Sequence, residues 1–430
     1  MKLKTVKRIT ATFLTAAMVF SCVGVTYASD EDVTPRTVAE REDADEGVSL
    51  TPTSFTEEQL PGVPYVGAVP TKKYKIAFSN GDMQDSWRAA FYDDMIESLE
   101  YLSEEFGIEY ITANSGADSA KQIEDIRSLL AQEPDILLFS PNESAPLAVV
   151  ADMCEEAGVP FITIDRSIDA TVGEGMYIAD IEGDNYKDGI AMGISIVNAL
   201  TEKYGEAKGT VAEICGTVGS SVGEQRSGGI RTVLQDYPDI KIVQVLDGQF
   251  DDATAHDAAQ DIFTTWGDEL DLLVSAVDTG CAQAMEVAST MGYDDIIYVC
   301  SNGNVSFLQD YLLTGKAYSV IEYPPYYGVT ALEYAIHYLN GYDIPTQVLL
   351  AQRNYMIDTE EKEAALQELV EESVANGNDY VPASLGMYDV FACEGELWDT
   401  YYPESYIEAG GQEYLDSVIP DDPFSLINAD

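Results

Sequence analysis

From residue 74 onward the apolar positions fall into two alternating rhythms. Short β-branched or aromatic runs occur at 75–79, 108–113, 136–139, 161–164, 176–179, 210–215, 240–245, 272–276, 296–300 and 318–321. Between them, apolar residues recur at helical spacing over 87–105, 120–132, 146–157, 186–204, 222–235, 253–266, 282–291, 307–313 and 327–340. That alternation predicts βαβ units and parallel sheets. Asp118 or Ser119 can cap the helix at 120–132, and Gly158 and Gly292 can close two others. Ten strands are too many for one small sheet at roughly 100–200 residues per domain, so two sheets are expected. In open α/β sheets ligands sit beyond the carboxyl ends of the strands, which directs attention to the loops that follow them.

The flanks follow different rules. Lys2, Lys4, Lys7 and Arg8 precede an apolar run over 9–20, and Thr26-Tyr27-Ala28 offers small residues for cleavage, the pattern of a secretory signal over 1–28. The run is shorter than the ~20 apolar residues of a membrane span, and no later stretch approaches that length. An exported chain is therefore expected, periplasmic or on the cell surface. Ser21-Cys22 resembles a lipoprotein box, whereas Phe20, Val23 and Val25 favour cleavage after Ala28, so anchoring through Cys22 stays open. Residues 29–71, acidic and dotted with Pro, Thr and Ser, predict a flexible spacer. Residues 359–430 carry Trp398, Tyr401, Tyr402, Tyr406 and Tyr414 and predict a folded extension, packed on the body or meeting a partner.

Charge and chemistry narrow the function. A net charge of -54, from 76 acidic against 22 basic residues, repels nucleic acid and anionic lipid. The six cysteines form no CxxC pair, so neither zinc nor an obligatory disulfide framework is expected. Gly216-Thr217-Val218-Gly219 lacks both the dinucleotide spacing and the Walker lysine, and no cofactor is implied. His256 and His337 fall within helical patterns, no Ser/His/Asp arrangement stands out, and an enzyme is not expected.

The strand ends are richer. They carry Ser79-Asn80-Gly81 and Asp85-Ser86-Trp87-Arg88, Asp165-Arg166-Ser167, Gly216 to Ser221 with Arg226, Asp247 to Phe250, Asp278, Ser301-Asn302-Gly303 and Glu322-Tyr323. Any one of these could be a turn residue or helix cap. Their recurrence at one edge points to a sugar, whose neighbouring hydroxyls pair with planar Asp, Asn and Arg groups while an aromatic face covers its C–H side.

From about 73 to 358 the order of these motifs resembles the bacterial periplasmic sugar-binding proteins of the ribose-binding type, above all the galactofuranose-binding branch. The specific pieces are Phe78-Ser79 with Trp87-Arg88-Ala89-Ala90, Ile164 to Asp169, and Gly216 to Val222 ahead of Arg226. The resemblance implies an α/β fold of two Rossmann-like lobes joined by a three-crossing hinge. The first lobe would hold about 72–181 and 323–343, the second about 182–322 and 344–358, with crossings near 179–182, 322–325 and 344–347. Ser79, Trp87, Arg88, Asp165 and Arg166 would bind the ligand from one lobe, and Arg226, Phe250, Asp278, Asn302 and Glu322 from the other and the hinge. The implied partners are a small sugar and the permease of an ABC transporter, with the binding protein a monomer. The alternative is a sugar-sensing module feeding a receptor kinase or chemoreceptor. Val277-Asp278 where the family has Asn-Asp, Asn302 where it has Asp, and Glu322 where Gln is common leave the sugar unnamed.

Overall fold

Strands buried on both faces need helices on both sides. In the computed structural model, which describes residues 69–350, 353–381, 390–391, 393, 395–402, 419 and 422–429, each sheet is layered in that way. The strands described are β1 (Lys75–Asn80), β2 (Glu109–Asn114), β3 (Ile136–Ser140), β4 (Phe161–Ile164), β5 (Tyr177–Gly183), β6 (Gly209–Cys215), β7 (Ile240–Asp247), β8 (Leu272–Ser275), β9 (Ile297–Asn302), β10 (Ser319–Glu322), β11 (Gln347–Leu350) and β12 (Asn354–Met356). They form two six-stranded sheets, ordered β11-β5-β4-β3-β1-β2 and β12-β10-β9-β8-β6-β7. All pairings are parallel except β10 with β12. In each sheet the strand order reverses beside the first strand, β1 or β6, which opens a crevice at the carboxyl ends.

The helices start and stop where their caps dictate. Asp85 accepts the Arg88 N–H at 2.6 Å and opens helix Ser86–Phe106, while Asp118 rather than Ser119 caps helix Ser119–Leu130. Gly158 and Gly292 end their helices in the left-handed conformation, as expected. The ten expected strands are present, mostly within two residues of their predicted bounds; β5 runs four residues further. β11 and β12 are additions: β12 spans only three residues, and β11, with its Val348-Leu349-Leu350 run, was not expected as a strand.

Two hinge crossings move. The first, expected near 179–182, falls beyond Gly183, because Asp180 and Glu182 are buried members of β5 and not loop residues. The third, expected near 344–347, falls beyond Leu350, because β11 continues the first sheet alongside β5. The Asp180 N–H bonded to the Thr346 carbonyl starts that pairing. The second crossing was expected near 322–325, where β10 ends at Glu322 and helix Tyr327–Leu339 follows.

The expected signal over 1–28, the Cys22 anchor and all but the last three residues of the expected spacer lie outside the described residues. Thr71, at the end of that segment, bonds Asn340 through its N–H and its hydroxyl. The C-terminal extension packs on the second lobe. Leu366 and Val370 of helix Glu360–Asn376 join its core, Trp398 and Tyr402 stack at 4.8 Å under Lys187, and Ile427 bridges to Ile242 on β7. Tyr406 and Tyr414 lie outside the described residues. No helix among the described residues is long and apolar enough to cross a membrane.

Candidate functional site

The loops at the carboxyl ends of both sheets meet across a cleft of about 270 Å³, counting its mouth. Seven of the ten expected residues line it: Trp87, Arg88, Asp165 and Arg166 from the first lobe and Arg226, Phe250 and Asn302 from the second. Among the described residues Asp85, Val222, Val277 and Tyr323 also line it.

Asp165 organises the first-lobe wall. It follows β4 with φ at 69°, left-handed backbone that a non-glycine residue adopts at a cost of order 1–3 kcal/mol. Its Oδ2 accepts Arg88 Nη2 at 2.6 Å and lies 3.6 Å from Arg166 Nε, while its Oδ1 accepts the Tyr323 hydroxyl at 2.9 Å. Arg88 also donates to Ser140 Oγ at 2.6 Å, and Arg166 to the Asn142 carbonyl at 3.0 Å. Asp82 lies between the two guanidiniums, 3.8 Å from Arg88 and 3.5 Å from Arg166. Burial pushes the Asp82 carboxyl up, but the two guanidiniums and the Gln84 N–H outweigh it and hold it below the usual carboxylate range. Asp85 has burial and the neighbouring Asp82 charge against it and rises to about 7. Burial and the like charge of Arg88 pull the Arg166 guanidinium down, against Asp82 and Asp165.

The second-lobe wall is built from one ion pair and an apolar face. Arg226, on helix Ser221–Leu234, donates through Nε and Nη2 to Asp188 at 3.2 and 3.1 Å and through Nη1 to the Ala276 carbonyl at 3.0 Å. Its guanidinium lies 4.4 Å from the centre of the Tyr323 ring. Burial raises Asp188 to about 7 although Arg226 pulls the other way. Phe250 follows β7 with φ at 51°, and Asn302 ends β9 with φ at 87°. A Cβ on Gly216 would fall 2.0 Å from the Phe250 ring, so only glycine lets the ring lie there. The Gly216 loop thus seats an aromatic side chain.

Three expected residues stand outside the lining. Ser79 is buried within β1, with Gln122 Nε2 3.4 Å from its hydroxyl. Asp278 turns back to accept the Asn304 and Thr279 N–H groups at 2.5 and 2.8 Å, which fixes the loop after β9. Glu322 faces away from the cleft into Arg353, which grips both its oxygens, and the Tyr355 hydroxyl donates to it at 2.9 Å. Arg353 arrives from 31 residues downstream, a pairing no local pattern announces. Among the residues missed, Tyr323 shares the hinge with Glu322 and carries an aromatic face and a hydroxyl, which were the available signal. Asp82 had none, since an Asp beside a Gly is first of all a turn residue. His256 and His337 lie on helices away from the lining. Among the described residues no cluster of His, Cys, Asp or Glu could hold a metal, and the five described cysteines are free thiols.

This architecture has relatives. The chain is similar to the galactofuranose-binding protein YtfQ of Escherichia coli (strain K12), 24% identical over 299 residues that cover 67% of this chain and 89% of that protein. A solved galactofuranose-binding protein superposes with a TM-score of 0.61 at 22% identity, covering 69% of this chain and 99% of the other. The fructose-binding periplasmic domain of the hybrid two-component system BT1754 superposes equally well, with a TM-score of 0.61 at 22% identity and 71% and 97% coverage. Residues 76–343 match the periplasmic binding protein domain, and with well over half of its length in that match the chain belongs to that family.

Proposed function

We propose that this protein is an extracytoplasmic substrate-binding protein that closes on a neutral monosaccharide and delivers it to the permease of an ABC transporter. The observation that carries the reading is the cleft wall of Arg88, Asp165 and Arg166 facing Arg226 and Asn302. These groups have fixed orientations and edges that suit pairs of hydroxyls. Charge in the cleft is matched: Asp82 and Asp165 accompany Arg88 and Arg166, and Asp188 accompanies Arg226. Such balance favours an uncharged ligand over a sugar acid or phosphate. Export, delivery to a permease and the absence of turnover rest on the binding and import proteins among its relatives.

The likeness to a sensor's periplasmic domain supports a second reading, in which the closed lobes report occupancy to a kinase. Neighbouring genes for a transporter ATPase and permease favour import; a receptor kinase alone favours sensing. The direct test is a thermal-shift screen over pentoses and hexoses followed by calorimetry, since a ligand of the folded state raises its melting temperature. One monosaccharide is expected to bind stoichiometrically and remain chemically unchanged. A chain that binds none, or that converts the sugar, defeats the reading.

A further inference from the structure

Polar and apolar linings are divided between the lobes. Among the described residues, both carboxylates of the cleft wall, Asp85 and Asp165, come from the first lobe. On the second lobe Val222, Phe250 and Val277 line the cleft and, with Ala276, form an apolar cluster separate from that lobe's main core. Among the described residues, polar lining there is limited to Arg226 and Asn302, and Arg226 already points Nε and both Nη groups at Asp188 and the Ala276 carbonyl.

Val277 stands where helix chemistry asks for a different residue. It is the N-cap of helix Asp278–Met291, with extended backbone and no side-chain cap hydrogen bond. Ser, Thr, Asp or Asn at this position would satisfy an orphan N–H that valine leaves to others. A local rule broken on a cavity wall marks a demand made by the site. Phe250 is likewise held in left-handed backbone, with one ring face 5.1 Å from the Arg166 guanidinium, which leaves less of it to serve as a plain stacking platform.

We infer that the ligand is a deoxy monosaccharide, held so that the carbon lacking its hydroxyl packs on Val222, Phe250 and Val277. The inference rests on the sugar-binding reading above. A hydroxyl at that wall loses its water hydrogen bonds without replacement, whereas a methyl or methylene gains burial. A wall of this kind separates the two by up to about a hundredfold.

Calorimetry with matched pairs tests it: D-galactose with D-fucose, L-galactose with L-fucose, L-mannose with L-rhamnose, D-glucose with 6-deoxy- and 2-deoxy-D-glucose, and D-ribose with 2-deoxy-D-ribose. In the pair that binds best, the deoxy member is expected to bind at least tenfold more tightly. Val277→Thr, isosteric and able to cap the helix, is expected to cut that ratio at least fivefold while the melting temperature of the free protein holds or rises. If the parent sugar binds as well as its deoxy partner in every pair, or if Val277→Thr leaves the ratio intact, the inference is overturned and the sugar-binding reading stands. Binding of no member of any pair overturns the inference, and the full pentose and hexose screen then decides the sugar-binding reading.

Discussion

Arg166 is the residue on which binding should turn most cleanly. Its Nη1 holds the Asn142 carbonyl and its Nη2 faces Asp82, but Nε has no hydrogen-bond acceptor of its own and only an ion-pair distance to Asp165. Arg166→Lys keeps the charge and loses the planar fork. Calorimetry should show affinity for the screened sugar falling at least tenfold, with the melting temperature of the free protein little changed. Arg88→Ala should act on both properties. Asp165 and Ser140 would then be left buried without their donor, and breaking such a pair costs about 3–5 kcal/mol of folding stability, visible as a lower melting temperature. An Arg88→Ala protein that melts like the parent would show that the pair contributes little. Much of this wall was legible in the sequence, because Trp87, Arg88, Asp165 and Arg166 sit where the strand pattern says a ligand loop should be. Glu322, Asp278 and Ser79 carry the same residue types at equivalent edges. What separates them is the direction of each side chain, and that is set by partners such as Arg353 and Asn304 that are distant in sequence or on another loop.

At the scale of elements, β5 stores protons just ahead of the first crossing. Asp180 and Glu182 alternate with Ile181 on β5 and so point to one face; Thr163 Oγ1 donates to Asp180 Oδ1 at 2.6 Å, while Glu182 Oε2 has no partner. Burial pushes both carboxyls up, most strongly Glu182, which also feels the charges of Asp180, Asp165 and Asp184. Asp85 and Asp188, both at about 7, behave alike. The folded chain therefore keeps protons that the unfolded chain releases above pH ~4, so unfolding free energy falls as pH rises from about 4 to 7. Self-repulsion in a chain of net charge -54 has the same sign. Asp82, lowered in the fold, contributes in the opposite sense, but only below the ordinary carboxylate range. The melting temperature of the free protein is expected to be higher at pH 5 than at pH 7.5, and Glu182→Gln should raise the value at pH 7.5 and flatten the slope. A melting temperature that climbs with pH over this interval would contradict the assignment. The resemblance placed the crossing near 179–182, and only the burial of these carboxyls shows that β5 continues through them.

For the molecule as a whole, the two-sheet plan followed from strand–helix alternation, whereas the role of the C-terminal extension did not, because its apolar positions are sparse and are buried only by packing on another element. The segment after helix Glu360–Asn376 is fixed to the second lobe: the Val305 N–H bonds the Asp379 carbonyl, Tyr380 bridges to Asn304, and Val381 enters that lobe's core. Yet the Tyr380 side chain reaches the other way. It is 2% exposed within the first lobe's core cluster, its hydroxyl lies 3.4 Å from Ser86 at the head of the helix that carries Trp87 and Arg88, and its carbonyl accepts the Tyr326 hydroxyl of the second crossing. A side chain anchored on one lobe and buried in the other contributes to the closed arrangement and loses those contacts when the lobes part. Ligand contacts made from both lobes likewise exist only on closure, so saturating sugar should shrink the radius of gyration seen by solution scattering. In Tyr380→Ala the ligand must close the lobes without the ring. Affinity should fall roughly tenfold, equivalent to about 1.4 kcal/mol, while contraction at saturation persists. Tyr380→Phe separates the parts: retained affinity assigns the effect to the buried ring, and lost affinity assigns it to the hydroxyl at Ser86. If Tyr380→Ala binds as tightly as the parent, the extension merely covers the second lobe and has no share in closure.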